Sequence, residues 1–210
     1  MKLDILSDPI CPWCYIGKAH LDRAFAARPN HPFVVEWHPF QLNPAMPEGG
    51  MDRTVYLEAK FGGRDNAART YARISDAADE AGLQIDFEKI ERTPNTLDAH
   101  RLIHWAGLEG RQTAMVSTLF RAYFREGADL EQRQTLVDLA TSVGLDGGMI
   151  ERLFDTEADV EEIRARDAHA RERGIKGVPM FVVGERHAVS GAQATQLWTD
   201  VIDELVGREA

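Results

Sequence analysis

The tightest constraint on the fold lies near the N-terminus, where a short apolar run breaks into a helix opened by proline. Leu3 to Phe25 read LDILSDPICPWCYIGKAHLDRAF. MKLDIL, stopped by Ser7-Asp8-Pro9, predicts a buried strand. From Pro12 the period changes. Cys14, Gly17, Leu21, Ala24 and Phe25 recur at the spacing of one helix face, with Lys18, Asp22 and Arg23 off that stripe. Pro12 suits a first helical position, where its missing N–H is no loss. Arg28-Pro29 predicts the helix end. Phe33 to Trp37 (FVVEW) is β-branched and aromatic and predicts a second strand. Joined to the first through a helix, it is expected to run parallel to it.

HPFQLNPAMPEGG is a Pro/Gly-rich connection, and from about Met51 to about Arg173 the pattern is almost wholly helical. Amphipathic stretches cover Ala67 to Ala81, Leu97 to Glu109, Thr113 to Glu126, Leu130 to Val143 and Ala158 to Arg173. Gly82, Gly127, Gly144 and Gly174 stand just past such segments, where left-handed C-terminal residues are common. Leu83 to Phe87 carries no readable pattern. MFVVG and HAVSG then predict a hairpin about Gly184-Glu185-Arg186, and Ala194 to Val206 predicts a last helix. The expected architecture is an α/β core with an all-helical insertion. Residues 1–48 and 174–210 form the core and residues 49–173 the insertion.

At 210 residues a single domain of this size buries roughly 70% of its unfolded surface, so it needs no disulfide or metal for support. The net charge of −10 repels phosphate, which argues against nucleic acid and anionic membrane as partners. MKLDILSDPICPWC has no signal-peptide pattern, and no apolar run approaches the roughly 18 residues of a membrane span. The expected compartment is the cytoplasm. There a disulfide is more often catalytic or redox-sensing than structural.

Cys11 and Cys14 are the two cysteines of the chain. At a strand-to-helix junction, the first faces unpaired helix N–H groups and the positive end of the helix dipole, which favour thiolate. The second lies three residues on, on the apolar stripe, and is expected to be the more buried. Cys11 is then the attacking thiol and Cys14 the resolving one. Pro12 stiffens the turn, and Trp13 offers an apolar surface beside an exposed sulfur. A zinc reading needs further ligands, and of the seven histidines only His100 and His104 share a suitable spacing. Two unreactive core cysteines are the third reading. Far along the chain, GIKGVPMFVV sets Val178-Pro179 before a predicted strand. A trans proline there simply starts the strand. A cis proline leaves the preceding backbone free to pair with an extended peptide next to the sulfur.

CPWCYIGK, EWHPFQLNP, YLEAKFG, NTLDAHRLIHWA, LFRAYFREG, GIKGVPMFVV and SGAQ occur in this order over nearly the whole chain. Together they resemble the DsbA-like thioredoxin-fold oxidoreductases, most closely the FrnE-type subgroup. The resemblance implies a thioredoxin fold, a central mixed β-sheet flanked by helices, interrupted by a helical domain. It implies Cys11 as nucleophile, Cys14 as resolving thiol and Pro179 as a cis proline beside them, Val178 helping to position the partner. A disulfide-bearing protein or a small-molecule thiol or disulfide is the implied partner. No bound cofactor and no metal are implied, although glutathione is a candidate co-substrate. The glutathione-dependent branch, the kappa-class transferases and 2-hydroxychromene-2-carboxylate isomerases, shares the architecture. It usually has serine in place of the first cysteine, and this chain keeps both.

Two departures stand out. Trp13 occupies the place of the DsbA histidine and carries no charge, which implies a lower reduction potential. Ile5 occupies the place of the buried acid of thioredoxin-like proteins, leaving Asp4, Asp8, Glu36 or water as candidate proton carriers. Asn95-Thr96 reads as a helix start with Thr96 as N-cap. The resemblance sets Asn95 and His100 along the cleft. Ser190-Gly191-Ala192-Gln193 reads as the cap of the last helix, and in the glutathione-dependent relatives the matching loop meets a glutathione carboxylate. Ser190 and Gln193 are therefore candidate binding residues with Pro12, Trp13, Val178 and Asn95. A non-catalytic binding module using the helical cleft is the remaining alternative.

Overall fold

A computed structural model describes residues 1–209. Strand β1 (Lys2–Ser7) is hydrogen-bonded along both edges: parallel to β2 (Val34–Pro39) and antiparallel to β5 (Met180–Val183). With β6 (His187–Ser190) against β5, the mixed sheet has the order β2-β1-β5-β6. Paired on both edges, β1 buries Leu3 and Ile5 on one face and Asp4 and Leu6 on the other, with Leu3 and Ile5 essentially inaccessible and Lys2 exposed at its start. Helix α1 (Pro12–Ala27) starts where the sequence predicts, with Pro12 at its first turn and Cys11 at the N-cap. This is a thioredoxin-like α/β fold, a mixed sheet flanked by helices.

Between β2 and β5 the chain is mostly helical, as expected. It forms α2 (Arg53–Phe61), α3 (Arg64–Glu80), α4 (Leu97–Leu108), α5 (Gln112–Arg121), α6 (Arg133–Ser142), α7 (Gly147–Phe154) and α8 (Val160–Glu172). Helix α9 (Thr195–Glu209) closes the fold and packs on α1. The four expected glycines adopt positive φ. At Gly127 the requirement is also steric, because a Cβ would stand 2.4 Å from the carbonyl oxygen of Lys89. Ala122–Glu126 winds as one π-helical turn after α5, with Tyr123 and Phe124 buried.

Three expectations need correction. The middle block is not purely helical: β3 (Met51–Asp52) and β4 (Arg92–Thr93) pair antiparallel, prolonged by the bond from Arg53 N–H to the carbonyl of Glu91 (2.9 Å). Two residues per strand are too few to show a period. Helices α2 and α7 lie within the block expected to be helical, outside its named amphipathic stretches; both are short and capped by an aspartate, Asp52 accepting from Val55 N–H and Asp146 from Met149 N–H, each at 3.0 Å. Thr96 stands at the N-cap of α4, but its hydroxyl makes no cap bond, and the side chain of Asn95 accepts the N–H of Leu97 instead (3.0 Å). Ser190 ends β6 opposite Met180, and α9 begins only at Thr195, so Ser190 is not a helix cap. Leu83 to Phe87 is irregular and leads into a 3-10 turn, Phe87–Lys89. Ala210, the last residue of the expected core segment, lies outside the described residues.

Helix α4 is pinned from inside by Arg101, which is 2% exposed. Its guanidinium donates to the carbonyls of Leu153 (2.9 Å), Thr156 (2.7 Å) and Ala158 (2.8 Å) and pairs with Asp98 (2.7 Å). It also lies 4.8 Å from the ring centre of Trp105. Arg101→Leu removes every donor from three carbonyls, at an expected cost of about 3–5 kcal/mol and a fall in Tm of order 10 °C. Lysine, without the planar fork, is not expected to restore it. A thermal melt checks this; a change of only a degree or two would mean that the 153–158 turn does not depend on Arg101.

Candidate active site

The junction of β1 and α1 brings the two cysteines together beneath the surface. The carbonyl of Cys11 accepts the N–H groups of Cys14 (3.0 Å) and Tyr15 (3.2 Å), closing the first helical turn. Both thiols are free, and their side chains hydrogen-bond each other. Cys14 is 1% exposed and Cys11 3%, so the expected order of burial holds, but the expected exposure of Cys11 does not. Cys11 belongs to the main hydrophobic cluster, against which Trp13 also packs. Tyr71 of α3 approaches closely enough for the Cys11 charge to act on its phenol. Nor does the Cys11 sulfur cap the helix: its near partner is the carbonyl of Val178, 3.6 Å away.

That contact is long-range in sequence and follows from β1 pairing with β5. The Val178–Pro179 bond is cis. Gly17 lets α1 lie against it, since a Cβ there would stand 3.2 Å from Pro179 Cγ and 3.4 Å from Ala192 Cα. The N–H of Gly191 donates to the carbonyl of Pro179 (2.9 Å), and Gln193 Nε2 donates to the carbonyl of Ser190 (2.7 Å). The fold thus places Cys11, Cys14, Val178 and Pro179 at one point, with the Ser190–Gln193 loop hung on Pro179.

Asn95 is placed differently. Its amide donates to the carbonyl of Met46 (2.7 Å) and accepts from Leu97 N–H and from Gln41 Nε2 (3.3 Å). It lies on the wall of a surface cleft of about 780 Å³ that also involves Arg101, Glu131 and Arg133 and neither cysteine. His100 is buried beneath α4, while His104 is half-buried and meets Arg166 (3.5 Å). Among the described residues, Cys11, Cys14, His100 and His104 do not gather as metal ligands. Asp4, Glu36 and His38 do cluster, but their atoms are engaged. His38 Nε2 is 2.6 Å from Asp4, its Nδ1 accepts from Arg166 (2.8 Å), and Lys2 bridges Asp4 and Glu36 at 3.0 Å each.

Of the three candidate acids, Asp8 is the one beside the cysteines. Its carbonyl accepts the N–H of Cys11 (2.9 Å), and its own N–H points to the Cys14 sulfur. Its carboxyl group is fully buried and accepts from Leu42 N–H (2.6 Å) and Ile10 N–H (3.2 Å). Burial raises its pKa to about 7, against the pull of those bonds and of the Lys60 ammonium. Burial, then the Cys11 thiol, push Cys14 well above the ordinary thiol value; Ser7 and the Asp8 N–H act the other way. Asp8 thus meets the Cys14 thiol through its backbone N–H, while its carboxyl, which titrates near neutrality, is turned to Ile10, Leu42 and Thr96. Lys60, which no motif singles out, lies near enough to act on the Asp8 carboxyl. It donates to Tyr56 (2.5 Å), which donates to Asn43 (2.9 Å), and the i, i+4 spacing of Tyr56 and Lys60 was its one local signal.

Residues 2–203 match the DSBA-like thioredoxin domain. The chain belongs to that family. It is 31% identical to a probable DsbA oxidoreductase from Streptomyces coelicolor, with a TM-score of 0.87 over 99% of this chain and 90% of that one. A 2-hydroxychromene-2-carboxylate isomerase superposes with a TM-score of 0.74 at 16% identity, covering 100% of this chain and 98% of the isomerase. The cytosolic disulfide reductase DsbM of Pseudomonas aeruginosa, solved with glutathione, gives 0.70 at 20%, covering 98% and 99% of the two chains. At those identities the likeness is one of fold.

The buried acid yields a pH signature. An acid whose folded pKa is raised costs the fold nothing below its unfolded value of 3.8. The cost grows as pH rises and is complete above the folded value of about 7. His100, which burial lowers from 6.5 to about 4, opposes it below pH 6.5. The Asp8 contribution is therefore read by difference. The stability of the unmodified protein minus that of Asp8→Asn should be larger at pH 5 than at pH 8 in urea titrations, and the Asp8 carboxyl carbon should titrate near 7. A difference that stays flat with pH, or a carboxyl titrating near 4, would contradict the assignment.

Proposed function

We propose that this chain is a thiol–disulfide oxidoreductase of the FrnE type, acting in the cytoplasm through Cys11 and Cys14. The observation that carries the reading is two free thiols in mutual contact at the start of α1, with the Val178 carbonyl at Cys11 and a near-neutral carboxyl at Asp8. Cys11 thiolate attacks a substrate disulfide, forming a mixed disulfide and releasing the first thiolate. Cys14 gives up its proton, with Asp8 as the nearby base, and attacks the Cys11 sulfur. The Cys11–Cys14 disulfide forms, the second thiolate leaves, and two electrons have passed to the substrate. Run backwards, the same steps oxidise a dithiol. On this reading residues 1–48 and 174–210 carry the chemistry, and the helical part, 49–173, governs access to a buried sulfur. Pro179 and Val178 position the partner chain, with Pro12, Trp13, Ser190 and Gln193 at the rim.

The absence of a membrane-length apolar helix among the described residues fits a partner met in solution. A disulfide-bearing protein or a small thiol such as glutathione fits that description. The second reading is a glutathione-dependent isomerase or transferase, favoured by the fold shared with the isomerase and with the glutathione-bound reductase. There Cys11 only orients a glutathione thiolate and Cys14 is dispensable.

Cys14→Ser separates the two. Under the first reading it accumulates a mixed disulfide on Cys11 and loses turnover; under the second it keeps its activity. Equilibration of the unmodified protein in glutathione buffers should show one reversible two-electron transition. A potential towards about −120 mV marks an oxidant and one near about −270 mV a reductant. If no reversible Cys11–Cys14 disulfide forms, the dithiol reading fails.

A further inference from the structure

On the side of the sheet covered by α4 and α5 lies a small cavity. Its wall includes Ser7, Trp37, His38, His100, Ile103 and Phe120. Its volume, about 10 Å³, is that of a single water molecule. The wall is mainly apolar but carries two fully buried polar atoms, Ser7 Oγ and His100 Nε2. Neither has a hydrogen-bond partner of normal geometry among the protein's own groups. A buried polar atom without a partner costs about 1–3 kcal/mol, and here the two residues that carry such atoms border one water-sized space. Ser7 stands at the end of β1, and its hydroxyl lies close enough to the Cys14 sulfur to favour the thiolate.

We propose that Ser7 and His100 hold one water between them, and that this water aims the Ser7 hydroxyl at Cys14 as the donor that stabilises its thiolate in the resolving step. The inference rests on the dithiol reading and adds a positioning pair to it. The direction of the chain follows from valence. The water donates one hydrogen to the Ser7 oxygen, leaving the Ser7 O–H free to donate to sulfur. Its other contact, with His100 Nε2, works with either tautomer: a bare nitrogen accepts from the water, and an N–H donates to it. The Cys14 proton leaves separately, towards Asp8. Cys14 thiolate then attacks Cys11 Sγ, the Cys11–Cys14 bond forms, and the substrate thiolate departs with its electron pair. The hydrogen-bonded chain itself gains and loses no proton.

The charges around the chain fit this part. Cys14 faces the Cys11 thiol, Ser7 and the Asp8 N–H. His100 faces Asp167 and Arg166, whose effects on it oppose each other, and burial keeps the imidazole neutral at physiological pH. His38, also on the wall, is held by Asp4 and Arg166 and has no free ring nitrogen to offer.

Stopped-flow mixing of the reduced protein with Ellman's reagent tests the proposal, because each protein releases two coloured thiolates. The first, dependent on reagent concentration, reports attack by Cys11. The second, independent of it, reports attack by Cys14. Ser7→Ala should leave the first release within about twofold, slow the second by about tenfold, and move its pH midpoint up by about one unit, the equivalent of one lost hydrogen bond to a charged group. Ser7→Thr, which keeps the hydroxyl, should recover most of the rate. In the unmodified protein, a cross-relaxation signal between a long-lived water and the His100 ring should be visible by NMR. A second release in Ser7→Ala as fast as in the unmodified protein overturns the inference alone. So does a Ser7→Thr as slow as Ser7→Ala, which would make the effect one of packing. No water signal at His100 overturns the bridging water. A reagent-independent second release missing from the unmodified protein overturns the dithiol reading, and this inference with it.

Discussion

Strand β1 is bonded to a strand on each edge, and the site exists because of that. The parallel partner, β2, directly follows α1 in the chain, but the antiparallel partner, β5, lies more than 170 residues downstream, with Leu6 opposite Met180. That one register brings the carbonyl of Val178 to the sulfur of Cys11. A slip of one residue would turn every β1 side chain to the other face and move the cysteines away from Pro179. Leu3 and Ile5 share one buried face, and a slip would put Lys2 and Asp4 in their place, so their burial is also what sets the geometry of the thiols.

The same junction concentrates buried polar groups. Asp8, fully buried, is satisfied by three different parts of the chain: Ile10 beside it, Leu42 after β2, and Thr96 at the start of α4 (3.5 Å). Desolvation wins over those bonds, because two amide donors offset only part of the cost of a buried charge, and the carboxyl rises to about 7. Cys14 is shifted the same way for the same reason. A buried base and a buried thiol, both hard to ionise, suit a step that occurs only after Cys11 has been captured in a mixed disulfide.

Burial of Cys11 also sets a condition on dynamics. A substrate disulfide has to reach a sulfur that is 3% exposed. From the helical segment, Tyr71 of α3 lies near enough for the Cys11 charge to act on its phenol. Tyr71 lies edge-on to Phe87 at 4.7 Å, and the Arg53 guanidinium is 5.1 Å from the Tyr71 ring. Helix α4 is held by the bonds of Arg101 to the 153–158 turn.

How much of this was legible before folding follows from the range of each interaction. The i, i+3 spacing of Cys11 and Cys14, the start of α1 at Pro12, the strands of the sheet and the C-terminal glycines are local matters of period and backbone preference, and the sequence alone determined them. Asp8 stood among three acids, and sequence could not rank them, because burial depends on Leu42 and Thr96 folding over it. The β3–β4 ribbon was invisible because two residues per strand carry no period. Thr96 had the right type for a cap, yet the cap bond goes to Asn95, since Thr96 is turned inward towards Asp8. Only the tertiary structure decided that Cys11 is covered, that Asn95 faces a cleft without the cysteines, and that Ser7 and His100 share one cavity. Each of those depends on contacts tens of residues apart, fixed when α4 and α5 pack across β1 and β2, and no local pattern encodes where such a packed surface leaves a gap.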